Sequence, residues 1–239
     1  MTDEQIPPQG AEDWARRYAI VLDLEQAGLV TRTFRRLDPQ RMQAVVNAIL
    51  EEAYDKGPAD LNIKQVAARA GVAVGSLYQY FGSRENLLAF AIQLVARSLS
   101  TELISYTPYL VEMPLREALE AYVFGGFEWS KEQAGFVRFY ARAAYQGDPA
   151  FQDTVVRPIA EALLGMLREI LAQAQARGEV RADLDLEAAS RAVYGAFLAF
   201  ADAQMLPYLN TYFQVTSAEV PAERTWAALI DLLLRGLRG

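Results

Sequence analysis

Neither cysteine nor histidine occurs anywhere in this 239-residue chain. Their absence removes disulfides, thiolate nucleophiles, imidazole metal ligands and histidine general bases together. Asp, Glu, Lys, Tyr and Ser remain for chemistry, but no G-x-S-x-G elbow, phosphate-binding glycine loop or H-E-x-x-H pattern accompanies them. The carboxylates are scattered over polar helix faces, so no cofactor, metal site or catalytic group is expected. Convincing strand alternation, internal repeats and low-complexity tracts are missing as well. No apolar run approaches the roughly 18 residues that a bilayer crossing needs. The opening residues, MTDEQIPPQG, lack the basic start and apolar stretch of a signal peptide, so a cytoplasmic protein without a membrane partner is expected.

The net charge of −7 argues against a general nucleic-acid coat protein. Its distribution is uneven. Between Thr31 and Arg97 nine basic residues stand against six acidic ones, a local +3 that leaves −10 for the remainder. A basic module on an acidic body suits an oriented nucleic-acid contact, and equally an ordinary fluctuation.

Apolar residues make up 52% of the chain, ample for a core, and helical period runs through almost every segment after the first ten residues. The spacing predicts a first helix over 11–27, with Trp14, Tyr18, Val21 and Leu22 as its apolar face and Gly28 as its stop. A short basic linker over 31–36 leads to a helix over 38–56, capped by Asp38, with Pro39 in its first turn. Gly57-Pro58 ends it. A long helix starts at Ser83 and runs to about Tyr106, where Thr107-Pro108 should interrupt it. Further helices are expected over 114–129, 133–146, 150–177, 186–206 and 222–238, with Pro158 bending the third of these.

The most informative stretch is 62–87, NIKQVAARAGVAVGSLYQYFGSRENL. Val66, Ala67 and Ala70 share one face of a short helix with Ile63. Gly71 is where that helix should stop, because glycine enters the left-handed conformation at little cost. Val72 and Leu77 supply a second apolar face, and Phe81 closes it. Two small helices held at a fixed angle by one tight turn make a helix-turn-helix, whose second helix enters a DNA major groove.

Over about 38–91 the chain resembles the TetR family of bacterial transcriptional regulators, through V-A-x-x-A-G-V-x-x-G-x-L-Y-x-Y-F-x-S-R-E-x-L. The resemblance implies an all-α fold. Residues 38–97 would form a three-helix DNA-binding domain, and residues 98–239 a helical domain that dimerises and binds an inducer. Residues 1–37, an extra helix and a basic linker, exceed the family's usual short arm. Ala73 stands where the family often has a polar cap for the reading helix, and Asn62 replaces a common Thr with equal capping power. The implied partners are double-stranded operator DNA, a second copy of the chain and a small-molecule inducer.

Each position in the motif has a chemical reading. Gly75, near the start of the reading helix, lacks a β-carbon and so lets backbone approach base edges or phosphate. Val74, Ser76 and Gln79 leave Leu77 to the core: Gln79 can pair with adenine, Ser76 with several bases, and Val74 can pack on a thymine methyl. Tyr78 and Tyr80 join a ring to a hydroxyl, and at least one hydroxyl is expected on a phosphate; Tyr80 can equally pack between helices. Lys64 matches a family position that reaches DNA. Ser83 and Arg84 open the next helix, whose N-terminal amides favour a phosphate. Arg41 is expected on the backbone. Arg32, Arg35 and Arg36 form either a minor-groove arm or a solvated linker.

The remaining helices carry two further surfaces. Ala188, Ala192, Gly195, Ala199 and Ala203 make a small-residue stripe that lets another helix approach closely. With Trp226, Ile230, Leu233 and Leu237 of the last helix they are expected to build a four-helix dimer interface, the alternative being packing within one subunit. Aromatics concentrate over 114–177. Tyr122, Phe127, Phe136, Phe139 and Tyr140, with Arg142, are the candidate pocket for a flat or apolar inducer, although rings at this spacing also make plain core. A ligand-released repressor is the leading expectation. The alternative is a DNA-bound adaptor or activator controlled by a protein partner.

Overall fold

The computed structural model describes residues 9–147 and 149–238. Among them every regular element is helical, with no strand. The chain forms two compact units that do not follow a single cut in the sequence. Unit 1 runs as far as Thr101 and takes in Ala134–Ile159; unit 2 is Glu102–Gln133 with the chain from Ala160 onward.

Unit 1 begins with α1 (Gln9–Gln26), which ends before Gly28 at φ +77°. Its buried residues are Ile20, Val21 and Leu24, whereas Tyr18 and Leu22 are about 40% exposed. The expected face is thus rotated. Trp14 and Tyr18 pack on each other at 5.9 Å, and Arg17 reaches Asn47 at 3.0 Å. The basic linker is also ordered: α2 (Arg32–Arg35) is one turn, capped by Thr31, and its Phe34 is fully buried. Arg35 pairs with Glu25 at 2.7 Å, while Arg32 and Arg36 remain exposed.

The next helix, α3 (Pro39–Lys56), starts as the sequence dictates. Asp38 accepts a hydrogen bond from the Arg41 amide at 2.9 Å, and Gly57 ends the helix at φ +90°. A 3-10 turn over Pro58–Asp60 follows. Then come α4 (Ile63–Arg69), α5 (Val74–Phe81) and α6 (Arg84–Val111). Helix α6 is 28 residues long and carries an 18-residue window of mean hydropathy 1.5, enough by length and composition to cross a bilayer. The sequence reading missed this because a few polar residues interrupt the run. Leu87, Phe90, Ala91, Leu94, Val95 and Leu99 are buried in the core instead. Pro108 does not interrupt α6: it lies among exposed Ile104, Tyr106 and Tyr109, where water can take up the carbonyl left without a donor.

The rest of unit 1 is α8 (Ala134–Tyr145), a short turn α9 (Pro149–Phe151) and a π-turn over Gln152–Val156. Pro158 follows that π-turn, the usual accommodation for a missing backbone donor. Phe136 and Phe139 bury on α3, with Tyr54 edge-on to Phe136 at 6.0 Å. Gly135 lies against backbone: a β-carbon there would sit 2.1 Å from the Asp55 carbonyl oxygen.

Unit 2 contains α7 (Leu115–Glu132), α10 (Arg157–Ala176) from Ala160 onward, α11 (Leu186–Met205), α12 (Pro207–Phe213) and α13 (Ala222–Arg238). Leu115, Leu119, Leu167, Ile170, Leu171, Phe197 and Trp226 are central to its core. Helix α12 falls where the sequence suggested only a loop; Asn210 closes its end by accepting from the Val215 and Thr216 amides at 3.0 Å. The α6–α7 corner is pinned by one polar clasp. Arg177 donates to the Val111 and Met113 carbonyls, and Glu179 accepts from the Leu115 amide at 2.7 Å. That amide and the Arg177 guanidinium hold the Glu179 carboxyl below its ordinary value.

Candidate nucleic-acid interface

The reading motif is built from local chemistry upward. Asn62 caps α4 by accepting from the Lys64 and Gln65 amides at 3.1 and 3.4 Å. Helix α4 stops at Gly71, φ +64°, where the Val72 amide returns to the Ala67 carbonyl at 3.0 Å. That turn sets the direction of α5. Leu77 and Phe81 are fully buried, so α5 is anchored along one side and its opposite side carries Gly75, Tyr78 and Gln79 into solvent. Ala73 gives α5 no side-chain cap. A β-carbon on Gly75 would meet nothing within 4 Å. No internal packing therefore requires glycine there.

The two tyrosines separate. Tyr78 is 44% exposed, whereas Tyr80 is 5% exposed with its ring 6.0 Å from Phe34. Packing between helices describes Tyr80, and only its outer edge is left for a phosphate. Val74 and Ser76 are half-buried at the flanks. Ser83 accepts from the Asn86 amide at 3.1 Å and so caps α6. Glu85, beside it, is held below its ordinary pKa by hydrogen bonds to its own amide and to Ser83, and already answers the positive end of that helix.

Not every cation near the motif is available. Arg69 binds Asp55 at 2.7 Å, Glu52 at 3.4 Å and Glu51 at 3.7 Å, tying α4 to α3. The hydrogen bond to Asp55 is the main reason its pKa is raised. Arg41, Lys64 and Arg84 are exposed and make no ion pair among the described residues. They flank the outward side chains of α5 in the sequence and are free to meet phosphates.

Residues 45–90 match the family description "Bacterial regulatory proteins, tetR family". Over this stretch the chain is similar to the TetR family. Among curated relatives, the HTH-type transcriptional regulator BetI 1 of Chromohalobacter salexigens is 34% identical over 95 residues, 40% of this chain and 46% of that protein. The chain spans about half the length of the curated relatives it matches. Two solved structures share the fold more widely. The fatty acid degradation regulator FadR of Bacillus halodurans matches at 18% identity and TM-score 0.54, over 82% of this chain and 99% of its own. FadR of Bacillus subtilis, solved with stearoyl-CoA, matches at 18% identity and TM-score 0.51, over 82% and 98%.

The other candidate residues divide between the two units. Tyr122 and Phe127 lie in unit 2, where Tyr122 packs on Phe197 at 5.7 Å and Phe127 on Trp226 at 5.3 Å. Phe136, Phe139, Tyr140 and Arg142 lie on α8 in unit 1, with Arg142 exposed. Neither unit holds all six together. Within unit 2 a cleft of about 80 Å³ is lined by Glu120, Val123, Phe124, Glu223, Trp226 and Ile230. It is far below the roughly 300 Å³ at which small-molecule pockets begin.

The proposed dimer residues divide too. Trp226, Ile230, Leu237 and Ala203 are buried within the chain, Trp226 against the rings of Phe127, Phe197 and Phe200. Ala192 and Gly195 are exposed, Ala199 and Leu233 half-buried. Two residues that hold α5 in place carry no role in the sequence pattern, Thr31 and Phe34. The lone aromatic inside a basic linker was the signal for the second.

Proposed function

We propose that this chain is a DNA-binding transcriptional repressor that acts as a homodimer and leaves its operator when a small apolar or amphipathic molecule binds. The observation that carries the reading is the outward side of α5. Gly75, Tyr78 and Gln79 are exposed on a helix whose inner side is fully buried, and Gly75 has no internal reason to be glycine. Arg41, Lys64 and Arg84 supply phosphate contacts, and Gln79, Ser76 and Val74 the base contacts. Half-sites recur one helical turn apart on one DNA face, so two copies would be held to a fixed spacing. The exposed Ala192 and Gly195 of α11 offer a partner helix close approach.

The regulatory role belongs to residues 98–239, with α6 continuing from one unit into the other. An acyl chain is the first ligand class to try, given the stearoyl-CoA of the Bacillus subtilis neighbour. Capture of genomic fragments on the purified chain, followed by affinity measurement on the enriched sequence, tests the function. A chain that enriches no sequence refutes it. Melting temperature across fatty acids and acyl thioesters tests the inducer, since a ligand of the folded state raises it. The adaptor reading is favoured by one observation, the strongly exposed Tyr208 and Tyr212 of α12. Operator binding indifferent to every ligand, but altered by a captured protein, would select it.

A further inference from the structure

Helix α5 is eight residues long and has no side-chain cap at its start. Helices this short do not hold themselves in water, so its geometry depends on what grips its ends. At the far end the chain turns off at Gly82, φ +78°, and only the Tyr78 carbonyl is taken up, by the Gly82 amide. The Gln79 and Tyr80 carbonyls fall among the last four of a helix, which have no partner within it. Thr31 supplies both. Its amide donates to the Tyr80 carbonyl at 2.8 Å, and its hydroxyl donates to the Gln79 carbonyl at 2.6 Å. The same hydroxyl oxygen accepts from the Phe34 amide at 3.5 Å, closing α2. Phe34 then sits buried among Tyr80, Phe81 and Phe90, with ring centroids 6.0, 5.3 and 6.1 Å away. Arg35 anchors the turn to α1 through Glu25.

We infer that Thr31, backed by Phe34, is a positioning residue for DNA reading: a C-terminal cap for α5 delivered from the extension that precedes the DNA-binding domain. It fixes the pitch at which Gly75, Tyr78 and Gln79 meet the groove. The inference rests on the proposed DNA-binding function. It assigns the extension a role in operator choice without any contact between the extension and DNA.

The test uses the full chain. Thr31→Val keeps the side-chain shape and the backbone N–H but removes the hydroxyl, and Thr31→Ser restores it. Affinity is measured for the enriched operator and for a scrambled duplex of the same length, with melting temperature alongside. Thr31→Val is expected to bind operator about tenfold more weakly, ~1.4 kcal/mol. Its affinity for the scrambled duplex stays unchanged, and Thr31→Ser returns to the parent value. Unchanged operator affinity in Thr31→Val overturns the inference. So does an equal loss on both duplexes, or a chain that no longer folds, since either shows general destabilisation. A parent chain that selects no operator removes the function itself, an outcome separate from all of these.

Discussion

A single methyl group placed on Gly135 should loosen unit 1. The β-carbon of Gly135→Ala would stand 2.1 Å from the Asp55 carbonyl oxygen, 2.3 Å from its carbon and 2.5 Å from the Lys56 nitrogen. Carbon and oxygen settle at about 3.3 Å or more, so α8 and the end of α3 must part by about 1 Å. All three obstructing atoms are backbone, and no rotamer change relieves them. Overpacking of this kind costs about 1–3 kcal/mol, more than the up to ~1 kcal/mol that alanine gains over glycine in a helix. For a chain of this size each kcal/mol moves the midpoint by about 2–4 °C. Thermal unfolding followed by circular dichroism should therefore show a fall of several degrees. Gly165→Ala on α10, where nothing lies within 4 Å, is the control, and should leave the midpoint unchanged or raise it. A Gly135→Ala chain that melts at or above the parent temperature would refute the close crossing of α3 and α8.

Other expectations follow from the same geometry. Gly75→Ala meets open space, so the melting temperature should hold or rise while operator affinity falls at least about tenfold, as the methyl intrudes on the groove; a fully active variant would remove Gly75 from the interface. Lys64→Ala should weaken binding to all sequences alike and lower the slope of affinity against salt by about 1 per contact, read by titration at several salt concentrations; an unchanged slope would mean Lys64 touches no phosphate. The Glu179 carboxyl is depressed by the Leu115 amide and Arg177. Its stabilisation is then full above the unfolded value near 4.5 and is lost as pH falls through the lower folded value. Glu179→Gln should lower the neutral-pH melting temperature and flatten that acid limb, and parallel pH profiles for the two chains would refute the clasp.

Much of unit 1 was readable one residue at a time. Asp38, Asn62 and Ser83 cap helices because a short oxygen-bearing side chain reaches an amide two or three positions on, and Gly57 and Gly71 turn the chain because they accept positive φ. The outward and inward sides of α5 follow from helical spacing once Leu77 and Phe81 are assigned to the core. The failures have a common origin. Tyr18 and Leu22 looked buried, yet α1 turns its Ile20–Val21–Leu24 side inward, because a helix with two apolar stripes is oriented by what it packs against.

The C-terminal grip of Thr31 was invisible for the same reason. The carbonyls that Thr31 serves lie 48 and 49 residues away, and no local pattern pairs them. Likewise the glycine at 135 reads as a helix start, and only the crossing with α3 shows why a β-carbon does not fit. Spacing alone does not say what Trp226 faces, and it is buried against the rings of Phe127, Phe197 and Phe200. The sequence by itself determined most of the helices, several of their caps and the helix-turn-helix pattern, since those depend on neighbours along the chain. Only the tertiary structure decided which faces are buried and what holds the end of α5, because packing is settled between segments that sequence order keeps apart.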